Sequence, residues 1–358
     1  MAKFTDIFED VTKQGTKIPT NLYLETGMYP IIDQGQSQVA GYTNETEGLF
    51  TDIPAIIFGD HTRIIKYVDT PCFLGADGVK LLKAKDPTAN YKYLYYALCN
   101  ADIPNTGYNR HFKWLKEIEI AECSTEEQNS IVAQFEKIDT LICLRKQQLS
   151  KLDELVKSRF VEMFGDPESN PYGHPTKKLS DIASYWNGLT YKPDDVQDQG
   201  TIVLRSSNIQ NSQLDFADMV RVTCRIREKQ YVQNNDILMC SRNGSAKLVG
   251  KVALITNITE PMSFGAFMMI IRSDYYRYLM TYFQMDAFRN QIKTGATTTI
   301  NQITGNMLNQ VTLPVPDLNV VSQFETFVEQ VDKSKFEIQK SLEKLETLKK
   351  ALMQKFFG

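Results

Sequence analysis

The chain has 358 residues, of which 42% are hydrophobic and 23% charged, and its formal net charge is −3. This length exceeds one ordinary hydrophobic core and predicts two or three domains, whereas the hydrophobic content excludes an intrinsically disordered protein. No apolar run approaches the ~18 residues of a membrane span, and the N-terminus carries charges where a signal peptide requires an apolar core. We therefore expect a cytoplasmic protein without a transmembrane segment.

The first predicted domain covers residues 1–123 and is rich in short strand patterns. Its β-branched and aromatic segments are separated by Gly, Asp and Pro, as in sheets with tight turns. The sequence YKYLYYALCN at 91–100 predicts a short buried helix. The strands are predicted at 29–32, 55–58, 64–68, 72–74 and 79–82.

A long helix is predicted next, over residues 124–165. Ser124, followed three residues later by Glu127, forms a capping-box pattern at its start. The linker at 166–175 has the sequence DPESNPYGHP, whose Pro and Gly residues end the helix.

The second predicted domain covers 176–316 and repeats the plan of the first. A second long helix, over 317–358, closes the chain. Within the domain, strands are predicted at 202–204, 237–240, 249–255 and 267–271, and a helix near 275–293.

The chain is built from two copies of one plan. A shift of 193 positions superimposes 125–165 on 318–358, while Lys3 matches Lys178 at a shift of 175. The second domain therefore carries about 18 extra residues inside a parallel design. Such a long-period repeat predicts domain, helix, domain, helix.

Apolar residues recur at spacings of three and four in both helices, which is typical of a coiled-coil seam. Two interpretations remain: each helix packs on its own domain, or the helices pair with each other. Certain seam positions are charged in one copy and apolar in the other, which favours antiparallel pairing or faces reserved for a partner subunit. These positions are Arg145 with Ile338, Arg159 with Leu352, Lys335 with Ile142, and Lys349 with Val156.

The predicted fold class is α+β, with two similar domains of mixed, β-rich structure and short helices. Two long helices are expected to space them and to pair as an antiparallel coiled coil with pseudo-twofold symmetry.

Neither a metal site nor a catalytic constellation is predicted. The six cysteines form no C-x-x-C pair and lie away from the three histidines, which argues against zinc and indicates a reducing compartment. Phosphate-binding loops, dinucleotide fingerprints and hydrolase elbows are all missing from the sequence.

Polar loops in the second domain are better candidates for binding. The segment 172–316 carries 15 Lys/Arg against 11 Asp/Glu. Arg and Asn match the edges of guanine and adenine, whereas Ser, Lys and backbone N–H groups hold phosphates. The candidate residues are Lys192, Arg205, Ser206, Ser207, Asn208, Arg242, Asn243, Ser245, Lys247, Thr297, Thr298 and Asn301.

Matching places in the first domain carry a second set of polar loops, although residues 1–120 hold 12 Lys/Arg against 15 Asp/Glu. Solvated turns explain many such loops singly, and their recurrence in both domains favours a binding role. The candidates are Gln34, Gln36, His61, Thr62, Arg63, Arg110, His111 and Lys113.

At these residues the chain resembles a known family, the specificity (S) subunit of type I restriction–modification enzymes. The resemblance covers essentially the whole length, and the repeated helices are similar to the family's two spacer helices. It is carried by WNGLT at 186–190, IVLRSSNI at 202–209, SRNG at 241–244, LPVP at 313–316, IFGDHTR at 57–63 and GADGVK at 75–80.

The resemblance implies a DNA-binding subunit without catalytic activity of its own. Each domain would read one half of a split double-stranded target, and the helices would set the distance between the halves. Methylation subunits, two in number, would bring S-adenosylmethionine and methylate adenine. Restriction subunits would bring ATP and Mg²⁺, so that this chain would hold no cofactor.

Two other function classes remain open. One is an interaction scaffold, in which two β-rich domains spaced by a coiled coil bind protein or glycan. The other is a self-contained nuclease or methyltransferase, which the missing motifs disfavour.

Overall fold

The computed structural model describes residues 1–75, 77–292 and 301–358. The chain divides into two compact units, one made of Met1–Gln147 with Gln339–Gly358 and the other of Gln148–Ile338. Among the helices of these described ranges, none is both long and apolar enough to cross a membrane.

The strands are short and follow the predicted alternation with turns. Those of the first unit are β1 (Ala2–Lys3), β2 (Phe8–Asp10), β3 (Tyr29–Ile32), β4 (Gly41–Thr43), β5 (Ala55–Gly59), β6 (Ile65–Val68), β7 (Phe73–Leu74), β8 (Val79–Ala84) and β9 (Glu119–Ile120). Those of the second unit are β10 (Thr176–Lys178), β11 (Ser184–Asn187), β12 (Val196–Gln197), β13 (Thr201–Leu204), β14 (Ile209–Gln210), β15 (Gln213–Leu214), β16 (Arg221–Val222), β17 (Ile237–Cys240), β18 (Val252–Leu254), β19 (Met262–Phe264), β20 (Met268–Arg272) and β21 (Thr312–Pro314).

Two long helices stand out among shorter ones. In chain order the helices are α1 (Phe4–Ile7), α2 (Tyr91–Cys99), α3 (Phe112–Leu115), α4 (Thr125–Phe164), α5 (Leu179–Ile182), α6 (Tyr276–Tyr282), α7 (Asp286–Ile292), α8 (Gly305–Leu308) and α9 (Leu318–Phe357). The single helix expected near 275–293 is instead two helices, because a turn in which the Gln284 N–H bonds to the Thr281 carbonyl at 3.1 Å separates α6 from α7.

The first unit is built around the fully buried strand β5. Its four-stranded sheet has the order β2-β8-β5-β6, and a three-stranded sheet has the order β4-β3-β7. Side chains alternate along the strand, so Ile56 and Phe58 pack on α2 while Ile57 packs in a second cluster. Burial on both faces explains why β5 reads as a continuous apolar run.

The second unit repeats this arrangement around β17, which is also fully buried. One sheet has the order β11-β20-β17-β18, and another has the order β12-β16-β13-β19. Ile237 and Met239 face one cluster, whereas Leu238 and Cys240 face the other. Each central strand ends in a loop that carries predicted binding residues.

An antiparallel strand pair closes each domain and joins its entry to its exit. In the first unit Ala2 pairs with Ile120, and in the second Lys177 pairs with Leu313. Ala2 and Lys177 are 175 positions apart, and Ile120 and Leu313 are 193 positions apart. These are the two offsets that the sequence repeat predicts. Each closing strand pair is followed, a few residues later, by a long helix.

The predicted helix start at Ser124 is confirmed. The Glu127 carboxylate accepts the Ser124 N–H at 3.0 Å, and the Ser124 hydroxyl accepts the Glu127 N–H at 3.3 Å. This reciprocal capping box satisfies two donors at the helix end, where the backbone has no partner of its own.

The two long helices pair in antiparallel fashion within each unit. In the first unit Phe135 stacks on Phe357 with ring centroids 6.0 Å apart, and Lys349 forms an ion pair with Asp139. In the second, Phe160 packs edge-on against Phe324 at 5.7 Å. Early residues of α4 thus meet late residues of α9, and the reverse.

Three of the four charged seam positions contact the facing helix. Lys335 forms an ion pair with Asp153, and Lys349 forms its own with Asp139. The Arg159 guanidinium lies 5.7 Å from the Phe327 ring centroid and donates to Glu162 at 2.8 Å. Antiparallel pairing, one of the two interpretations of the seam, is therefore confirmed.

Truncation of the buried Phe135 tests how much the helix pairing stabilises the first unit. We expect Phe135→Ala to lower the free energy of unfolding by about 3–5 kcal/mol, because a large cavity remains. The matched change Phe336→Ala removes a ring that is 65% exposed and should alter stability by less than about 0.5 kcal/mol. Urea unfolding measures both, and equal effects would contradict the assigned packing.

Candidate nucleic-acid interface

Gln34 connects three loops of the first unit. Its side-chain oxygen accepts the His61 N–H at 3.1 Å, and its amide nitrogen donates to the Asp77 carbonyl at 3.0 Å. The Thr62 hydroxyl donates to the Gln34 backbone carbonyl at 2.7 Å. The loops after β3 and β5 and the turn before β8 are therefore joined through one amide.

This junction requires a glycine at position 78. Gly78 has φ +86°, a left-handed conformation that side chains rarely adopt, and a Cβ there would lie 2.6 Å from the Gln34 amide nitrogen. The close approach fixes Gln34 beside His61, so the amide and the imidazole share one surface.

His61 and Tyr108 form a stacked aromatic pair at this surface. Their ring centroids lie 4.6 Å apart with an interplanar angle of 7°, and Tyr108 is 87% exposed. The His61 Nδ1 lies 3.1 Å from the Asn109 carbonyl. Sequence reasoning selected His61 but missed Tyr108, although an aromatic residue in the polar stretch NTGYNR was an available signal.

The remaining candidates of the first unit differ in the exposure and the contacts of their side chains. Arg63 adopts φ 62° and its guanidinium donates to the Ile103 carbonyl at 2.9 Å, so its side chain is partly committed. Gln36 and Arg110 are exposed. Lys113 is also exposed, with its ammonium 4.1 Å from the Trp114 ring centroid.

The structure gives His111 a supporting position, not the surface position expected from the sequence. It is 0% exposed, and its Nδ1 lies 2.9 Å from the Asp60 carbonyl. The buried Asp60 carboxylate accepts the Phe112 N–H at 2.7 Å. His111 therefore anchors the 105–111 loop from beneath, because a buried imidazole cannot reach a ligand outside.

A buried lysine holds the amide-rich loop 33–38 in place. The Lys66 ammonium donates to the Ser37 carbonyl and to Asp33 at 3.4 Å. Burial lowers the pKa of Lys66 by removing water from the ammonium, and the Asp33 carboxylate opposes this shift. Gln34 and Gln36 are thus carried by a tethered loop.

In the second unit, Asn243 joins the loops after β13 and β17. Its amide nitrogen donates to the Ser206 hydroxyl at 3.2 Å, and its side-chain oxygen accepts the Ser245 N–H at 3.0 Å. Asn301 completes the cluster, since its amide nitrogen donates to the Gly244 carbonyl at 3.2 Å. Four predicted residues are therefore brought together.

Arg242 is exposed at the edge of this cluster. Its guanidinium lies 5.2 Å from the Phe267 ring centroid, and its backbone N–H bonds to the Phe267 carbonyl at 3.1 Å. Phe267 is 59% exposed, and sequence reasoning missed it. An aromatic ring beneath a guanidinium restricts the arginine and leaves its donors free for a ligand.

Asn208, like His111, is structural and not the surface contact expected from the sequence. It is 1% exposed; its side-chain oxygen accepts the Arg205 N–H at 2.8 Å, and its nitrogen donates to the Asp215 and Asp218 carbonyls. The Arg205 guanidinium is held by the Asp218 carboxylate at 2.7 Å. Asn208 therefore shapes the loop that carries Arg205.

The other candidates of the second unit lie nearer to solvent. Ser207 is half-buried, and its carbonyl accepts from the Gln210 amide at 3.0 Å. Lys192, Ser245 and Lys247 are exposed. Thr297 and Thr298 lie outside the residues that the structure describes.

No group of three or more His, Cys, Asp or Glu side chains that could hold a metal ion occurs among the described residues. The thiol of Cys240, beneath the Arg242 loop, has a pKa raised by burial.

Each unit thus combines an α+β domain, a hydrogen-bonded cluster of polar loops and segments of two paired helices, which defines a protein of duplicated domain-and-helix architecture. The sequence matches the family described as "Type I restriction modification DNA specificity domain" over residues 1–154 and 173–350, and the chain belongs to this family. The resemblance seen in the sequence is confirmed.

Curated relatives agree with this assignment. The chain is 27% identical over 196 residues to the type I restriction enzyme StySPI specificity subunit of Salmonella potsdam, and 26% identical over 196 residues to the EcoKI specificity subunit of Escherichia coli (strain K12). Each match covers 51% of this chain and 42% of the relative. The chain therefore spans less than half the length of these relatives.

Solved structures show the same fold. The type I restriction–modification S subunit from M. genitalium matches with a TM-score of 0.55 at 16% identity, covering 99% of this chain and 95% of that chain. A second structure, from a study of type I R-M assembly and conformational transition, matches with a TM-score of 0.52 at 15% identity. The predicted α+β fold with two like domains and long helices is confirmed.

Loss of the Asn243 amide should loosen the second cluster. We expect Asn243→Ala to accelerate hydrogen exchange of the 242–247 amides at least about fivefold, because each lost hydrogen bond is worth ~1 kcal/mol. Ser245→Ala is the control, since Ser245 contributes only its backbone N–H to the cluster. Unchanged exchange in Asn243→Ala would refute the bridging role of Asn243.

Proposed function

We propose that this chain is the DNA sequence-specificity subunit of a type I restriction–modification complex, with one unit reading each half of a split target. The observation that carries the proposal is the duplicated loop cluster, joined by Gln34 in one unit and by Asn243 in the other. Family membership supplies the class of ligand. DNA binding by two separate loop clusters requires a bipartite site.

The two clusters differ in chemistry, and this supports two different half-sites. The first offers amides, an imidazole and an exposed tyrosine ring through Gln34, His61 and Tyr108. The second offers a guanidinium and amides through Arg242, Asn243 and Asn301. Arginine matches guanine edges and asparagine matches adenine, while exposed lysines such as Lys247 suit phosphates.

Partners and catalysis are part of the proposal. Two methylation subunits carrying S-adenosylmethionine would methylate adenine in the target, and restriction subunits using ATP and Mg²⁺ would cleave DNA. The chain itself would act without catalysis or a bound cofactor, in the cytoplasm where the DNA lies. The alternative is a scaffold of two β-rich domains that binds protein or glycan.

The decisive test is binding of the assembled complex to duplex DNA over a range of salt concentrations. We expect affinity for a split site to fall linearly in log–log form with salt, since phosphate contacts release counterions. Methylated adenines mapped in DNA from cells that carry this chain and its methylation subunits would give the target. Indifference to DNA with and without those subunits would favour the scaffold, and methylation or cleavage by the isolated chain would overturn both.

Arg242 should determine sequence preference in one half-site only. We expect Arg242→Ala to cost about 1–3 kcal/mol on the cognate half-site and to leave the preference in the other half intact. Lys247→Ala, in contrast, should weaken binding on every sequence and reduce the salt slope by about 1. Competition binding with variants of each half-site distinguishes the two effects. If Arg242→Ala leaves the affinity for every sequence unchanged, Arg242 does not belong to the interface.

The long helices should set the distance between half-sites. Insertion of one heptad in both α4 and α9 adds ~10.5 Å of helix, since the rise is ~1.5 Å per residue. At ~3.4 Å per base pair this should lengthen the preferred spacer by about three base pairs. Selection from duplexes with variable spacers measures the preferred spacer length. An unchanged preferred length would contradict the spacing role of the helices.

A further inference from the structure

A short motif begins one helix in each domain. Tyr91-Lys92-Tyr93-Leu94 opens α2, and Tyr276-Arg277-Tyr278-Leu279 opens α6. Both motifs place a cation between two tyrosines, although the two domains differ elsewhere in their loops and in charge. Each motif contacts the long helix of its own unit.

In the first unit the motif makes two kinds of polar contact. Lys92 forms an ion pair with Glu136 on α4. The Tyr93 hydroxyl donates to the Ala121 carbonyl at 2.8 Å, just after the closing strand β9. One turn further along α2, the Tyr96 hydroxyl donates to the Asp139 carboxylate at 2.9 Å.

The second unit repeats these contacts with an arginine. Arg277 lies 2.8 Å from Asp332 and 3.8 Å from Glu329, both on α9. The Tyr278 hydroxyl donates to the Pro314 carbonyl at 2.6 Å, at the end of the closing strand β21.

The partners of the two motifs are equivalent positions of the repeat. Glu136 and Glu329 are 193 residues apart, as are Asp139 and Asp332, and as are Ala121 and Pro314. The same three groups are therefore used in both units: a Glu and an Asp one helical turn apart, and a carbonyl at the domain exit. We call this set of contacts the clamp.

Burial around the clamp makes its contacts directional. Tyr93 and Tyr278 are buried, and the Arg277 side chain is 12% exposed. Tyr278 also stacks on Phe160 of α4, with ring centroids 4.8 Å apart. Hydrogen bonds and ion pairs require particular distances and angles, so in a partly dry site they add one defined geometry to the apolar packing.

We propose that the clamp fixes the orientation of each recognition domain on its long helix and thereby restricts the spacer length at which both half-sites are read. This inference rests on the proposed function. Its side chains lie on α2, α4, α6 and α9, and its carbonyl acceptors lie at the two domain exits. None of them belongs to the loop clusters, so they position the domains without contacting bases. Loss of the clamp should widen spacer tolerance while base preference stays.

Arg277→Gln is the first test, with Lys333→Gln as the matched control. Lys333 is the exposed neighbour of Asp332 and loses the same charge without touching the clamp. The complex with methylation subunits is measured on duplexes whose spacer is lengthened or shortened by one or two base pairs. For Arg277→Gln we expect discrimination against wrong spacers to fall about tenfold, since a charged hydrogen bond is lost, and Arg277→Lys should recover most of it.

The half-exposed pair in the first unit provides a second test that does not depend on a buried arginine. Lys92→Glu opposes Glu136 with a like charge and should widen spacer tolerance. The double variant Lys92→Glu with Glu136→Lys restores an ion pair and should restore discrimination. A general loss of stability would not be rescued in this selective way, and thermal unfolding of each variant is recorded alongside.

The outcomes separate the inference from the function on which it rests. If the unmodified complex binds no split site, the proposed function fails. If the unmodified complex discriminates between spacers and both clamp variants keep its profile, the clamp proposal is overturned and the function stands. Widened tolerance with unchanged half-site preference and rescue by the charge swap supports the clamp.

Discussion

Antiparallel pairing of α4 with α9 is the interaction on which both units depend. Phe135 is enclosed by Tyr96 and Phe357 in the first unit, and Phe160 by Tyr278 and Phe324 in the second. Each aromatic group joins one helix, the other helix and a domain. Burying these rings therefore stabilises the domain and the helix pair together. Loss of either one would expose part of the core of the other.

Each domain combines a buried central strand with a polar loop that follows it. The central strands β5 and β17 are buried on both faces, which leaves little room for change in their side chains. The loops that follow them carry the polar side chains, held by single amides such as Gln34 and Asn243. A binding site for a specific sequence needs both features. The type of side chain on the loops must be able to differ between proteins, while the position of each side chain must be fixed.

Features with a local signature could be predicted from the sequence. The capping box at Ser124, the two long helices and the apolar strands follow from spacing and composition alone. His111 and Asn208 look like surface residues because they are polar, yet tertiary contacts bury both. Tyr108 was not among the candidates from the sequence, although its ring is exposed on a loop. Burial is a property of distant contacts, and the sequence pattern around one residue does not contain it.

The strand pairs that close the domains have a consequence for how the protein evolves. Because Ala2 pairs with Ile120 and Lys177 with Leu313, the beginning and end of each domain lie side by side. Exchange of a whole domain at these two strands would therefore leave the length and register of the following helix unchanged. Under the proposed function, replacing one domain in this way would change the half-site that this domain reads and leave the other domain and both long helices as they are.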